Sequence, residues 1–72
     1  DRVRIDENGE HWIVDYKTST HEGGNLEGFL DAEVTRYMPQ LKKYAAIYRA
    51  FSGAEPRCAL YFPLLQRFVE VQ

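Results

Sequence analysis

The stretch that decides the fold runs His11-Trp12-Ile13-Val14-Asp15-Tyr16-Lys17. Its β-branched and aromatic residues predict a β-strand. Because strand side chains alternate between the two faces, Asp15 and Lys17 point to the same face at the end of that strand. A carboxylate there can hold a hard divalent cation, and an ammonium beside it can orient a water or stabilise negative charge on a phosphate. Taken alone, such a pair is most often a surface salt bridge.

A second strand is predicted just upstream, because the first residues of the chain alternate between polar and apolar side chains. The intervening Glu7-Asn8-Gly9-Glu10 is a hairpin signal, and two registers are open. A two-residue loop places Asp15 opposite Arg2. A three-residue loop, with Gly9 in the left-handed region, places Asp15 opposite Asp1.

The hairpin register decides whether the two acidic groups meet. In the three-residue-loop register Ile13 also lies opposite Val3, and directly opposite residues have Cβ atoms roughly 4.5–5.5 Å apart. At that separation Asp1 and Asp15 can share a metal ion, whereas a slip of one residue puts Asp1 on the other face. Asn-Gly alone favours the shorter loop. We predict the longer loop, because only its register assembles the metal site.

The rest of the chain predicts helices followed by two more strands. A polar, glycine-bearing loop gives way to apolar side chains at helical spacing. The predicted elements are, in order, a short helix over 26–34 capped by Asn25, a longer helix starting near Arg36 with Thr35 as its N-cap and Gly53 after its end, and strands at 57–62 and 68–71. The order ββααββ predicts an α+β (α/β) fold with a mixed sheet packed on a helix.

Size and composition fit one small globular domain. The chain has 72 residues, of which 44% are hydrophobic and 28% charged, and a core of this size is marginal. The net charge of −2 is unlike that of a protein that grips nucleic acid mainly by electrostatics. A role on DNA therefore requires a metal ion to offset the acidic groups, or basic surface elsewhere. The longest apolar runs are too short to span a bilayer.

Other side chains that could carry chemistry have plainer interpretations. The single cysteine, Cys58, excludes an internal disulfide and a cysteine metal cage. Its place in a predicted strand beside apolar residues indicates a buried structural thiol. His11 and His21 fit ordinary surface histidines better than metal ligands. Gln40 and Tyr44 lie one helical turn apart, which by itself fits a surface residue beside a core residue.

Taken together, these positions resemble the nuclease motif of the RecB-like branch of the PD-(D/E)XK superfamily. The resemblance rests on Asp1-Arg2, on the strand ending Asp15-Tyr16-Lys17-Thr18, and on the helical Gln40-Leu41-Lys42-Lys43-Tyr44, preceded by Tyr37. The chain is also similar to the C-terminal nuclease domain of UvrD/AddA-like bacterial helicases in the segments 19–24, 39–41 and 59–64. Each of these motifs is weak evidence alone. Together they occur in the family's order and spacing, and they span nearly the whole chain.

The resemblance implies a partial restriction-endonuclease-like core and assigns roles to individual residues. Asp1 and Asp15 would bind Mg²⁺, which Mn²⁺ can replace, with the Tyr16 backbone carbonyl as a further ligand. The other implied roles are the catalytic lysine at Lys17 and substrate positioning at Gln40 and Tyr44. The family usually has one more ligand, His or Glu, on a helix before the first strand, and these residues contain no such helix.

The family implies a metal-dependent DNA exonuclease inside an ATP-dependent helicase–nuclease that acts in double-strand break repair and recombination. Residues 1–72 would then be the C-terminal part of the nuclease domain, a fragment that is weakly active or inactive alone. ATP would serve only the helicase portion, and the expected partners are DNA and a second helicase–nuclease subunit. The expected setting is the bacterial cytoplasm, at the nucleoid, without membrane association.

Three alternatives stay open. AddB-like nucleases share the motif but carry a cysteine-ligated iron–sulfur cluster, against which the lone cysteine argues. A catalytically incomplete nuclease fold could serve as a DNA-binding or scaffold module, and the missing upstream ligand leaves that open. A plain α+β interaction domain with an accidental acidic pair predicts no metal binding that responds to mutation.

Overall fold

The structure, a computed structural model, describes residues 2–72, with side chains from residue 3 onward. Its elements are β1 Arg2–Ile5, β2 His11–Tyr16, α1 Leu26–Ser52, β3 Arg57–Phe62, a 3₁₀ turn Pro63–Leu65 and β4 Arg67–Val71. The strands form one sheet in the order β1-β2-β3-β4, in which β2 and β3 are parallel and the two outer pairs are antiparallel. The predicted α+β class, a mixed sheet packed on a helix, is confirmed.

The β1–β2 hairpin has the three-residue loop predicted from the sequence. Val3 pairs with Ile13, and Gly9 adopts a φ of +82°, the left-handed conformation that a bulged three-residue loop requires. The register that the metal-site argument needs is therefore present along the described ladder. The prediction that Asp1 lies opposite Asp15 falls on a residue outside the described part of the chain.

Asp6 fixes this turn. Its carboxylate accepts hydrogen bonds from the backbone N–H groups of Asn8 and Glu10, at 2.9 and 3.0 Å. The indole N–H of Trp12 donates to the second carboxylate oxygen at 2.9 Å. Because this one side chain accepts from Asn8 in the loop and from Glu10 just after it, the longer loop is stabilised over the two-residue turn that Asn-Gly favours by itself.

One continuous helix stands where two were predicted. The α1 helix runs Leu26–Ser52 without a break, so the predicted boundary with Thr35 as an N-cap is wrong. Pro39 lies in the helix interior, where its missing N–H leaves only the carbonyl of Thr35 without its helical donor. Leu30 and Leu41, on either side of the proline, are 2% and 1% exposed. Packing of both halves on the same sheet keeps the helix whole.

The predicted ends of the helical region are confirmed. Asn25 caps the start, where its side-chain oxygen accepts from the backbone N–H of Gly28 at 3.2 Å. Gly53 ends the helix with a φ of +77° and donates its N–H to the carbonyl of Arg49. A Cβ on Gly28 would lie 2.4 Å from the Asn25 side chain, so the cap depends on a glycine at that position.

The core lies between α1 and one face of the sheet. Its buried members are Ile13, Leu30, Leu41, Ala45, Cys58, Leu60, Phe62 and Val71. The prediction that Cys58 is a buried structural thiol is confirmed, and burial raises the pKa of that thiol above its ordinary value. Among residues 2–72, no helix is both long enough and apolar enough to cross a membrane.

Candidate functional site

The site is built at the end of β2, on the face that α1 covers. Asp15 pairs with Leu60 of β3 and is only 5% exposed. Lys17 follows the strand, and its backbone N–H donates to the carbonyl of Tyr61 at 2.8 Å. This bond continues the ladder by one residue, so the side chain of Lys17 stays on the same face as Asp15.

Asp15 and Lys17 form a close ion pair. Lys17 Nζ lies 3.0 Å from Asp15 Oδ2, and the two side chains are 18% and 7% exposed. Solvent screens such a sheltered pair less than it screens a surface pair. The predicted placement of both residues on one face is confirmed, and the lysine supplies the positive charge that a buried carboxylate needs.

The helix closes one side of this pair through Tyr37. Lys17 Nζ lies 3.6 Å from the centre of the Tyr37 ring, a cation–π contact that holds the ammonium between ring and carboxylate. The Arg36 guanidinium lies 5.5 Å from the same ring and 3.9 Å from a carboxylate oxygen of Glu33. The sequence placed Tyr37 in the helical pattern and the family motif, but its contact with Lys17 was missed because it depends on how α1 crosses β2.

Gln40 and Tyr44 form a second pair further along α1. The Gln40 side-chain amide donates to the Tyr44 hydroxyl at 2.9 Å. Both residues lie on the same side of the helix as Tyr37, at three and seven residues beyond it. Among residues 3–72, no hydrogen bond joins either of them to Asp15 or Lys17. The structure thus brings the two predicted positioning residues together, one turn of helix beyond the Lys17 contact.

The two histidines have structural partners. His11 Nδ1 and the Tyr48 hydroxyl share a 2.5 Å hydrogen bond that ties the start of β2 to the second half of α1. His21 bonds through Nε2 to the carbonyl of Gly24 at 2.8 Å and stacks on Phe29 with ring centres 4.7 Å apart. These contacts tie the start of β2 and the loop after it to the helix.

The chemistry of Asp15 suits a divalent metal ion, since carboxylate oxygens are the ligands that Mg²⁺ prefers in proteins. Among the described side chains, no group of three or more His, Cys, Asp or Glu residues could hold a metal ion. A complete site therefore needs donors besides Asp15. The predicted second carboxylate, Asp1, lies outside the described residues, and the predicted carbonyl donor is that of Tyr16, next to Asp15 in the chain.

The fold is an α+β core in which one helix covers a mixed sheet with a central parallel pair. An Asp-x-Lys pair lies at the end of the second strand, and this combination is of the nuclease type. The chain belongs to the PD-(D/E)XK nuclease superfamily, whose family model matches residues 1–70. Comparison with curated proteins and with solved structures gives no match. Membership of the superfamily is therefore shown. The narrower assignment to RecB-like or AddA-like helicase–nucleases stays a prediction.

Proposed function

We propose that Asp15 and Lys17 form the catalytic centre of a Mg²⁺-dependent DNA nuclease. The observation that carries this proposal is the 3.0 Å pairing of a buried carboxylate with a sheltered ammonium, in a chain of the PD-(D/E)XK nuclease superfamily. A surface salt bridge would be open to solvent. This pair instead lies under a helix at a strand end, where the surroundings strengthen its interaction with a charged ligand.

Asp15, Asp1 and the backbone carbonyl of Tyr16 would hold Mg²⁺, or Mn²⁺ in its place. The hairpin register supports the inclusion of Asp1. Arg2 pairs with Val14, and continuing that register by one pair would bring positions 1 and 15 opposite each other. A bound metal ion supplies a more acidic water and polarises a phosphoryl oxygen.

Lys17 would act on the phosphate. Held between Asp15 and the Tyr37 ring, its ammonium can donate hydrogen bonds to a phosphate oxygen and stabilise the extra negative charge of the transition state. Gln40 and Tyr44 would position the DNA strand beside it. Their mutual hydrogen bond fixes the orientation of the exposed amide, which favours a defined contact with substrate.

The biological setting that we propose follows from the sequence motif. The chain would be the C-terminal part of an exonuclease domain in an ATP-dependent helicase–nuclease for break repair and recombination. The helicase portion would use the ATP, and a second helicase–nuclease subunit would be a partner. The pattern that supports this setting is Asp15-Tyr16-Lys17 followed by Gln40 and Tyr44 at their present spacing.

The test compares Asp15→Asn with a matched control, Asp31→Asn. Asp31 is an exposed aspartate on α1, so its loss changes the net charge equally without touching the pair. Calorimetric titration with Mn²⁺ or Mg²⁺ should show binding to wild type and Asp31→Asn, and much weaker binding to Asp15→Asn. In the full-length protein, metal-dependent cleavage of DNA should disappear in Asp15→Asn and in Lys17→Met.

The same experiment can overturn the proposal. An Asp15→Asn protein that folds normally and still cuts DNA with metal would exclude Asp15 as a catalytic ligand. Metal binding that persists in Asp15→Asn, without any cleavage by wild type, would instead identify a nuclease fold that has another role.

A further inference from the structure

A stripe of exposed polar side chains lies along α1 beside the site. Arg36, Gln40 and Lys43 are all exposed. They follow one another at intervals of four and three residues, so they occupy one line on the helix surface. At about 1.5 Å of rise per residue, the line from Arg36 to Lys43 is roughly 10 Å long. Two positive charges therefore flank the amide of Gln40.

This stripe adjoins the Asp15–Lys17 pair. Two cations lie near the Tyr37 ring: Lys17 Nζ is 3.6 Å from its centre and the Arg36 guanidinium is 5.5 Å from it. Arg36 is thus the end of the stripe nearest the site, and Lys43 is the far end. The hydrogen bond from Gln40 to the Tyr44 hydroxyl holds the middle of the stripe in place.

Carboxylates neutralise much of the positive charge elsewhere on the molecule. Arg49 donates two hydrogen bonds to Glu55, Arg57 donates two to Glu70, and Arg67 donates to Glu27. The Arg36 guanidinium, in contrast, lies 3.9 Å from the nearest carboxylate oxygen of Glu33, and the Arg36 side chain is 71% exposed. The stripe is therefore a place where positive charge is accessible to a ligand, although the net charge of the chain is −2.

We infer that the stripe Arg36–Gln40–Lys43 binds the phosphate backbone of the substrate DNA strand next to the Asp15–Lys17 pair. The inference rests on the proposed nuclease function and adds Arg36 and Lys43 to its binding residues. An arginine fork can bind a phosphate through two parallel hydrogen bonds, and a lysine acts as a point charge. A line of roughly 10 Å is long enough to reach more than one phosphate of a strand.

Adjacent lysines on α1 provide the decisive comparison. Lys42 and Lys43 are both exposed, but one residue is a rotation of roughly 100° about the helix axis. Lys42 therefore lies on the line of Met38 and Arg49, away from Arg36. Lys43→Gln and Lys42→Gln each remove one positive charge from α1. They should therefore differ in DNA binding only if the DNA strand follows the stripe.

The experiment measures binding of a fluorescent single-stranded DNA oligonucleotide to the full-length protein, with metal chelated to prevent cleavage. The variants are Arg36→Gln, Lys43→Gln and the control Lys42→Gln, with folding checked by circular dichroism. Each stripe variant should weaken binding about five- to tenfold at about 0.1 M salt and reduce the salt slope by roughly 0.7, the amount expected for one lost phosphate contact. Lys42→Gln should stay close to wild type.

The possible results separate this inference from the proposed function. Equal losses in Lys42→Gln and Lys43→Gln, or unchanged binding in both stripe variants, overturn the stripe but leave the nuclease intact if wild type still cuts DNA with metal. A wild-type protein that neither binds nor cuts DNA overturns both.

Discussion

Lys17 and Asp15 neutralise each other at the end of β2, where Nζ and Oδ2 lie 3.0 Å apart. The arrangement is asymmetric, because Asp15 is the more deeply buried partner. A buried charge that loses its partner costs more than the pair contributes. The stability of this corner of the fold therefore depends on both residues together.

Removal of Lys17 alone should destabilise the fold. We expect Lys17→Met to lower the free energy of unfolding by about 1–3 kcal/mol, because the Asp15 carboxylate then stays buried without a cation. The double variant Asp15→Asn/Lys17→Met should recover part of that loss, with a coupling of about 1 kcal/mol. Urea unfolding of the four proteins, in the presence of a metal chelator, measures the cycle. Strictly additive effects would show that the contact contributes nothing.

The turn carboxylate should titrate at unusually low pH. The indole N–H of Trp12 holds the pKa of Asp6 below its ordinary value, and the backbone amides of Glu10 and Asn8 and the charge of Arg57 lower it further. Trp12→Phe removes the strongest of these donors, so the pKa of Asp6 should rise toward the ordinary range. Carbon-detected NMR titration of the carboxyl group measures both values. An identical titration in wild type and Trp12→Phe would contradict the assignment.

The lowered pKa of Asp6 also sets the sign of the pH dependence. The ionised form is favoured in the folded hairpin, so this stabilisation is fully present above the pKa of the unfolded chain. It is lost as the pH falls through the lower folded pKa. Urea midpoints should therefore fall on acidification by less in Asp6→Asn than in wild type.

The hairpin and the acidic–basic pair could be predicted from the sequence, because both depend on neighbours in the chain. The alternation of β2 fixes the shared face of Asp15 and Lys17, and the loop length fixes the register. The carboxylate of Asp6, three residues before Gly9, is a further local signal for the longer loop, since it can accept hydrogen bonds from the turn amides.

The uninterrupted helix and the Tyr37 contact could not be predicted in the same way. Pro39 is a local signal for a helix break, and only the burial of apolar residues on both sides of it overrides that signal. The position of the Tyr37 ring over Lys17 depends on the crossing of α1 and β2. Two segments twenty residues apart in sequence meet there, and spacing within either segment does not determine that geometry.

The thiol of Cys58 should react slowly in the folded protein. Its side chain lies in the core and burial raises its pKa, so both access and thiolate content are reduced. Iodoacetamide near neutral pH should modify the native protein far more slowly than the urea-unfolded protein, as followed by mass spectrometry. Equal rates in the two states would show that this part of the core opens readily.

Pro39 should destabilise the helix, and replacing it with alanine should make the protein more stable. Pro39→Ala restores the N–H that can bond to the carbonyl of Thr35, and the position is exposed. We expect stability to rise by about 1–3 kcal/mol after allowance for the greater freedom of the unfolded chain. The melting temperature should then rise by roughly 4–8 °C for each kcal/mol. A lower melting temperature would indicate that the proline ring makes a favourable contact.

Gly28→Ala should act in the opposite direction in the same helix, although alanine is the better helix former by about 1 kcal/mol. The new Cβ would lie 2.4 Å from the side chain of Asn25 and displace the cap that accepts the Gly28 N–H. Loss of an N-cap costs about 0.5–2 kcal/mol, so thermal unfolding should show no gain, or a net loss. Because Asn25→Gly already lacks that side chain, adding Gly28→Ala to it should be stabilising. A reversal of sign between the two backgrounds identifies the cap as the cause, whereas a gain in both would show that the cap contributes little.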